Sequence, residues 1–446
     1  MEKSNGLKIL WNSNAPYAPT GYGVQTGAVC YRLLDKGYNV RVAANYGLEG
    51  ASLGFNNLIV YPKLFGPYGE DALTLVCQTW KPDVLITLYD IWVGKYSSHL
   101  KKENWMAQPN TRWIPWIPID HMPIPDPVAE QATHAFKPVA MSKFGKKELE
   151  RCGINAEYIP HGVDTKVYKP LDKTESKDWV SKHSMTLNPK NSLEWNEESF
   201  IVGINAANKD PFRKDFGRMF TAFQIFLENN PDAKKDARFY VHGWLKFPGG
   251  FNLYHLAKKL GIEAYCRATF DYDMFCSMPP EKMAKLYNGF DVFLNLARGE
   301  GFGVPIMEAQ ACGVPVVATD FTAMTELVKG HGWLVPPFGK EAECPECNKK
   351  FCYGGGAHQF SHLMSLQAIP DEWKAAEAIE EAYNSPKRTR RLGKKARKFS
   401  LNYDFDKVVV PAWMELLDEI DCAVNMFGAW NGKDEAFDKI FAEATK

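Results

Sequence analysis

The chain has 446 residues, too many for one compact core and enough for two domains of ordinary size. Apolar residues make up 45% of it, enough to build cores, and 53 Lys plus Arg balance 53 Asp plus Glu, which excludes a chain-wide pull toward nucleic acid or anionic lipid. No apolar stretch is long enough to span a bilayer, and the opening MEKSNGLKIL lacks the apolar centre of a signal peptide, so the ten cysteines read as reduced thiols of a cytoplasmic protein.

In chain order, Leu7–Trp11 is strand-like, and a loop rich in Asn, Pro, Gly and Thr follows it. Val24–Lys36 has helical spacing and stops at Gly37, and Val40–Ala44 is the next strand. Val84–Leu88 and Trp113–Ile119 are further buried-strand candidates, and Lys143–Arg151 is a helix with Ser142 as its N-cap. The polar stretch Asp164–Ser199 reads as linker and irregular surface. Alternation then restarts with strand Phe200–Ile204, helix Phe216–Glu228, strand Arg238–His242, helix Pro280–Asn288, strand Asp291–Asn295, helix Val304–Ala311 and strand Pro315–Ala318. Asp371–Ile420 is mostly helical. This pattern predicts an α/β protein of two doubly wound units, with ligands at the carboxyl ends of the strands. The boundaries expected are 1–165 for the first domain, 166–199 for a linker, 200–403 for the second domain and 404–446 for a helical tail.

Three motifs carry chemistry in their own right. Gly299–Pro315 (GEGFGVPIMEAQACGVP) places a glycine-rich turn between a strand and a helix. Such a turn lets the backbone approach a ligand, and the helix start suits a diphosphate. Glu300 and Glu308 both stand where they could face that ligand and accept hydrogen bonds from sugar hydroxyls. An ordinary βα turn with a surface Glu reads the same way. The second motif is Cys344-Pro-Glu-Cys347 with Cys352, then His358 and His362; Cys-x2-Cys-x4-Cys-x5-His offers four soft ligands at a spacing that would close a structural zinc site within 339–370, with His358 or His362 as the fourth. Three free thiols on a surface loop are the alternative. The third, Asp271-Tyr-Asp273, spells the Asp-x-Asp that holds a divalent metal in some enzymes, but a three-residue match arises easily by chance, and a loop is the better reading.

Glu300-Gly-Phe-Gly followed by Pro305, Glu308-Ala309, Gly313 and Pro315-Val-Val-Ala318 resembles the donor-site signature of retaining glycosyltransferases of family 4. Ser142-Lys-Phe, Ile159-Pro-His-Gly-Val-Asp164 (with His161 where Asn is commoner), Asp291-Val-Phe-Leu and Gly332-Trp-Leu-Val extend the resemblance to most of the chain. It implies the GT-B fold, two Rossmann-like domains facing across a cleft, with a C-terminal helix crossing back to the first. It implies a UDP- or GDP-linked sugar donor, no catalytic metal, and a hydroxyl acceptor on a glycan, lipid, small molecule or modified DNA.

The resemblance also assigns roles. Arg213 and Lys214, with Lys209 as a substitute, would grip the donor diphosphate, helped by the backbone of Gly301, Phe302, Gly303 and Val304 and by Gly21 and Gly23 of the first loop. Glu308 would hold the ribose, while Glu300 and His121 would orient the sugar. Asp90 is a candidate for the acceptor side. A DNA glucosyltransferase acting on hydroxymethylated bases and a non-catalytic nucleotide-sugar binding protein are the competing readings.

Overall fold

The structure, a computed structural model, describes residues 6–66, 68–91, 111–210, 212–337, 358–360 and 365–427. It divides into two compact units, one of Met1–Pro118, Ile124–His161 and Phe405–Lys446, the other of Ile119–Pro123 and Gly162–Asp404.

The first unit is built on an eight-stranded sheet of β1 (Lys8–Asn14), β2 (Asn39–Tyr46), β3 (Leu53–Phe55), β4 (Leu58–Tyr61), β5 (Val84–Thr87), β6 (Arg112–Ile117), β7 (Val139–Ala140) and β8 (Glu157–Tyr158). Its order is β3-β4-β2-β1-β5-β6-β7-β8, parallel except where β3 runs against β4. β1 is buried along its whole middle, as an apolar strand covered on both faces must be. Helix α1 (Gly21–Asp35) follows β1, and α2 (Glu70–Trp80), α3 (Asp126–Ala132) and α4 (Lys143–Arg151) come later. Trp11, Trp116 and Trp413 pack edge to face with ring centroids 5.2–6.0 Å apart. Trp413 belongs to the late helix Val410–Phe427, so this cluster ties the end of the chain back into the first unit.

The second unit contains α5 (Lys173–Lys182), β9 (Met185–Thr186), β10 (Phe200–Asn205), α6 (Phe216–Asn229), β11 (Ala237–His242), α7 (Leu253–Lys259), β12 (Cys266–Ala268), α8 (Asp271–Cys276), α9 (Pro280–Gly289), β13 (Val292–Asn295), α10 (Val304–Ala311), β14 (Val316–Thr319), α11 (Ala323–Val328) and β15 (Trp333–Val335). The sheet order is β15-β14-β13-β10-β11-β12-β9, parallel except for β9 against β12. A two-stranded ribbon, β16 (His358–Phe360) and β17 (Leu366–Ala368), precedes α12 (Glu372–Asn384) and α13 (Pro386–Ser400). Phe216, Phe220, Phe223, Phe226 and Phe239 fill the core between α6 and the sheet.

The stretch 164–199, expected as irregular linker, instead supplies α5 and the edge strand β9. Its polarity misled because part of its buried face is charged. The Lys177 ammonium donates to the Ser199 carbonyl at 2.6 Å and pairs with Asp291 at 3.0 Å, beside the fully buried Val180. Among the described residues no helix is long and apolar enough to cross a membrane.

Candidate functional site

In the second sheet the chain steps from β10 outward through β11 and β12, then returns to lay β13, β14 and β15 on the other side of β10. The loops leaving β10 and β13 therefore diverge at a switch point, where open α/β sheets bind ligands. Both loops are tied together there. The Arg298 backbone N–H donates to the Arg213 carbonyl at 2.9 Å, and the Arg298 guanidinium donates to the Asp215 carboxylate at 2.8 Å. Asp215, at a positive φ of 46°, caps the N-terminus of α6. Burial pushes its carboxyl above the ordinary value despite the neighbouring Arg298 and Arg218.

This arrangement brings Arg213, Lys214 and Glu300 together. The Lys214 ammonium donates to Glu300 Oε1, and an Arg213 guanidinium nitrogen stands 3.7 Å from Glu300 Oε2. Burial lowers the Lys214 pKa, the Glu300 carboxylate opposes that, and Arg213 adds to it. The Glu300 backbone N–H is held by the Thr322 hydroxyl at 3.1 Å. Glu300 is thus fixed through backbone and side chain together.

A third segment meets the same turn. Ile119–Pro123 groups with the second unit although β6 lies in the first. Its Asp120 carbonyl lies so close to Gly299 that a Cβ there would stand 2.0 Å from the oxygen, so only glycine fits. Asp120 Oδ1 is 2.6 Å from His121 Nδ1. Burial alone would raise the Asp120 pKa, but the hydrogen bond with His121 and the neighbouring Arg213 guanidinium hold it below the usual carboxylate value. The His121 side chain is buried, and its Nε2 has no partner among the described residues.

Glu308 stands apart from that cluster, in a tyrosine-lined niche. Tyr287 donates to Glu308 Oε2 at 2.8 Å and accepts from the Asn205 amide at 2.7 Å. Burial pushes the Glu308 pKa up to about 7, and the hydroxyls of Tyr287 and Tyr168 pull against that rise. Sequence reasoning missed Tyr168, Tyr287 and Asn205, because an isolated Tyr or Asn carries no spacing signal. Asn205 does close β10 at the switch point, a position that could have flagged it.

The remaining expected residues are placed as follows. Gly303, at φ 109°, caps the start of α10, and the Ile306 N–H turns back to its carbonyl. Pro305 has no N–H, so any backbone donor at this helix start comes from the Gly301–Val304 stretch. The Phe302 ring is buried 5.7 Å from that of Tyr403, so it serves the core. Gly21 and Gly23 lie in the first turn of α1, which the Thr20 hydroxyl caps by accepting the Gly23 N–H at 3.0 Å. A Cβ at Gly23 would meet the Ala18 carbonyl at 2.3 Å, whereas one at Gly21 would meet open space. Lys209 is exposed in the loop after β10, and Asp90 accepts from the Tyr22 hydroxyl at 3.2 Å.

Asp271 and Asp273, expected in a loop, form the first turn of the short helix α8. Among the described residues no group of three or more His, Cys, Asp or Glu could hold a metal ion. Cys344, Cys347, Cys352 and His362 lie outside the described residues, and the backbone of His358 pairs with Ala368 in the ribbon.

A sequence model of the family described as Glycosyl transferases group 1 matches residues 216–344, which include Glu300 and Glu308. The lipopolysaccharide core biosynthesis mannosyltransferase LpsB of Rhizobium meliloti is 54% identical over 179 residues, 39% of this chain and 42% of that protein. The O-antigen chain mannosyltransferase B of Escherichia coli is 40% identical over 60 residues, 14% of this chain and 16% of that protein. The chain thus spans less than half the length of these curated relatives. Among solved structures, sucrose-phosphate synthase from Thermosynechococcus elongatus superposes with a TM-score of 0.68 at 14% identity, covering 93% of this chain and 100% of that one. HepE from Anabaena, in complex with UDP and glucose, gives a TM-score of 0.63 at 15% identity, covering 93% and 100%. The two parallel, helix-flanked sheets described above are those of the GT-B fold.

Proposed function

We propose that this protein is a retaining glycosyltransferase that moves a hexose from a nucleotide-diphosphate sugar to a hydroxyl acceptor. The observation that carries this reading is the Arg213–Lys214–Glu300 cluster beside Asp120–His121 at the switch point of the second sheet. Departure of the sugar builds negative charge on the diphosphate and positive charge on the ring. Two cations held at fixed positions stabilise the growing phosphate charge without reorganising. Glu300 keeps the Lys214 ammonium in place before the donor arrives and orients the sugar with His121. Glu308 accepts the ribose hydroxyls. Retention follows from the family-4 resemblance, with the acceptor hydroxyl attacking from the face the leaving group departs.

The relatives' names favour a mannosyl transfer onto a glycan, while HepE, solved with UDP and glucose and with UDP-glucose, favours a UDP-linked glucose, so both donors belong in the test. Incubation of the protein with UDP-glucose or GDP-mannose should release free sugar slowly even without an acceptor. Proton NMR should show the transferred linkage with the donor's own anomeric configuration. No release from any nucleotide sugar would reject the enzyme reading, and an inverted linkage would reject retention.

A further inference from the structure

We infer that Asp120 is a positioning residue that fixes the tautomer of His121, so that the ring presents an unprotonated Nε2 to a hydroxyl of the bound sugar. This inference rests on the glycosyltransferase reading for the identity of the ligand, but its structural part stands alone. Asp120 is held below the usual carboxylate range by His121 and Arg213, so near neutral pH its side chain is an acceptor only. At 2.6 Å from Asp120 Oδ1, Nδ1 must therefore carry the proton. In a neutral imidazole the second nitrogen is then an acceptor.

That second nitrogen is the unusual feature. His121 is 4% exposed, and Nε2 is buried without a partner among the described residues. A buried polar atom left unpaired costs free energy unless a ligand completes it. Neighbouring groups define what would complete it. Arg213 and Lys214 are cations and Glu300 is engaged with them, so the cluster can hold an anion while His121 still needs a donor. A sugar hydroxyl beside a diphosphate meets both needs in one molecule.

The backbone keeps the pair in register. The Asp120 carbonyl packs on Gly299, the residue before Glu300, and the Met122 N–H donates to the Leu366 carbonyl at 3.2 Å. Asp120 and His121 are therefore clamped on both sides by the second unit.

Asp120→Asn tests the inference directly, because an amide can donate to Nδ1 and stabilise the opposite tautomer at nearly constant shape. Long-range 1H–15N spectra of protein labelled at histidine, with His121 assigned through His121→Gln, should show Nδ1–H in the wild type and a shift to Nε2–H in Asp120→Asn. Affinity for the bare nucleoside diphosphate should stay within twofold. Turnover of the nucleotide sugar should fall about 100-fold, less than the roughly 10^4-fold seen when a general-base imidazole is held in the wrong tautomer, because His121 orients the sugar rather than transferring a proton. An Nε2–H signal in the wild type would overturn the inference, as would an unchanged tautomer and turnover in Asp120→Asn. Should Asp120→Asn fail to fold, the wild-type spectrum decides alone. If the wild type shows Nδ1–H yet neither binds nor turns over any nucleotide sugar, the tautomer assignment stands and the glycosyltransferase reading fails.

Discussion

At the scale of single residues, Lys214 and Glu308 carry the most directly measurable consequences. Lys214 is the most enclosed cation of the cluster, so Lys214→Ala should weaken nucleotide-sugar binding about 10- to 100-fold by calorimetry, with Lys214→Arg recovering part of the loss. Glu308 predicts a pH dependence. Its pKa is pushed up to about 7 by burial, and in the proposed ribose-binding role only the carboxylate would accept both hydroxyls. Donor affinity should therefore fall about tenfold between pH 8 and pH 6. Glu308→Gln should flatten the profile. Tyr287→Phe, by removing a hydrogen bond that holds the pKa down, should move the midpoint upward. Both glutamates were legible in the sequence because a glycine-rich turn and a helix start bracket them. Their separation into a cation cluster and a tyrosine niche was not, because it depends on partners such as Lys214, 86 positions away, and Tyr287. The Asp120–His121 hydrogen bond was equally hidden, since adjacent residues need a particular backbone path to face one another.

At the scale of elements, close backbone approaches set the geometry of the site. Gly299→Ala would place a methyl 2.0 Å from the Asp120 carbonyl, and Gly393→Ala would place one 2.1 Å from the Gly313 carbonyl, where α13 packs on α10. Both should destabilise the second unit by about 2–4 kcal/mol, seen as a fall in its thermal midpoint. They should differ in function. Gly299→Ala also moves Asp120 and His121 and should cost activity beyond its stability loss at permissive temperature, whereas Gly393→Ala should not. Strands such as Phe200–Asn205 could be read from the sequence because parallel strands buried on both faces are continuous apolar runs. Helix Lys173–Lys182 could not, because its Lys177 is buried by pairing with Asp291 across a gap in sequence that spacing does not reveal. Cooperative loss of α5 on Asp291→Ala, followed by hydrogen exchange, would check that this pair holds the helix.

At the scale of the whole molecule, each unit carries its own acid-sensitive histidine. Burial pushes the His161 pKa down to about 3 in the first unit and that of His242 to about 4 in the second. Below pH 6.5 the unfolded chain binds protons that these folded sites refuse, so stability is lost as the pH falls from 6.5 toward those values. By pH 4 each contributes a loss on the order of 3 kcal/mol, which circular dichroism melts between pH 7 and pH 4 should reveal in both units. Glu308 acts in the opposite sense. Its raised pKa favours the neutral carboxyl, so its contribution is complete below about pH 4.5 and declines as the pH rises through 7. The two-unit architecture itself was readable from the repeated alternation of strand and helix. The allotment of Ile119–Pro123 to the second unit was not, because it rests on the Gly299 contact and the Met122–Leu366 hydrogen bond rather than on any local pattern.

The most direct measurement is isothermal calorimetry of UDP-glucose and GDP-mannose against the wild type and the Arg213→Ala/Lys214→Ala double variant. At least one donor should bind the wild type saturably and more tightly than the free sugar, and the double variant, with its fold intact, should lose about 100-fold or more in affinity. Equal affinity in the two proteins would contradict the assignment of Arg213 and Lys214 to the donor diphosphate.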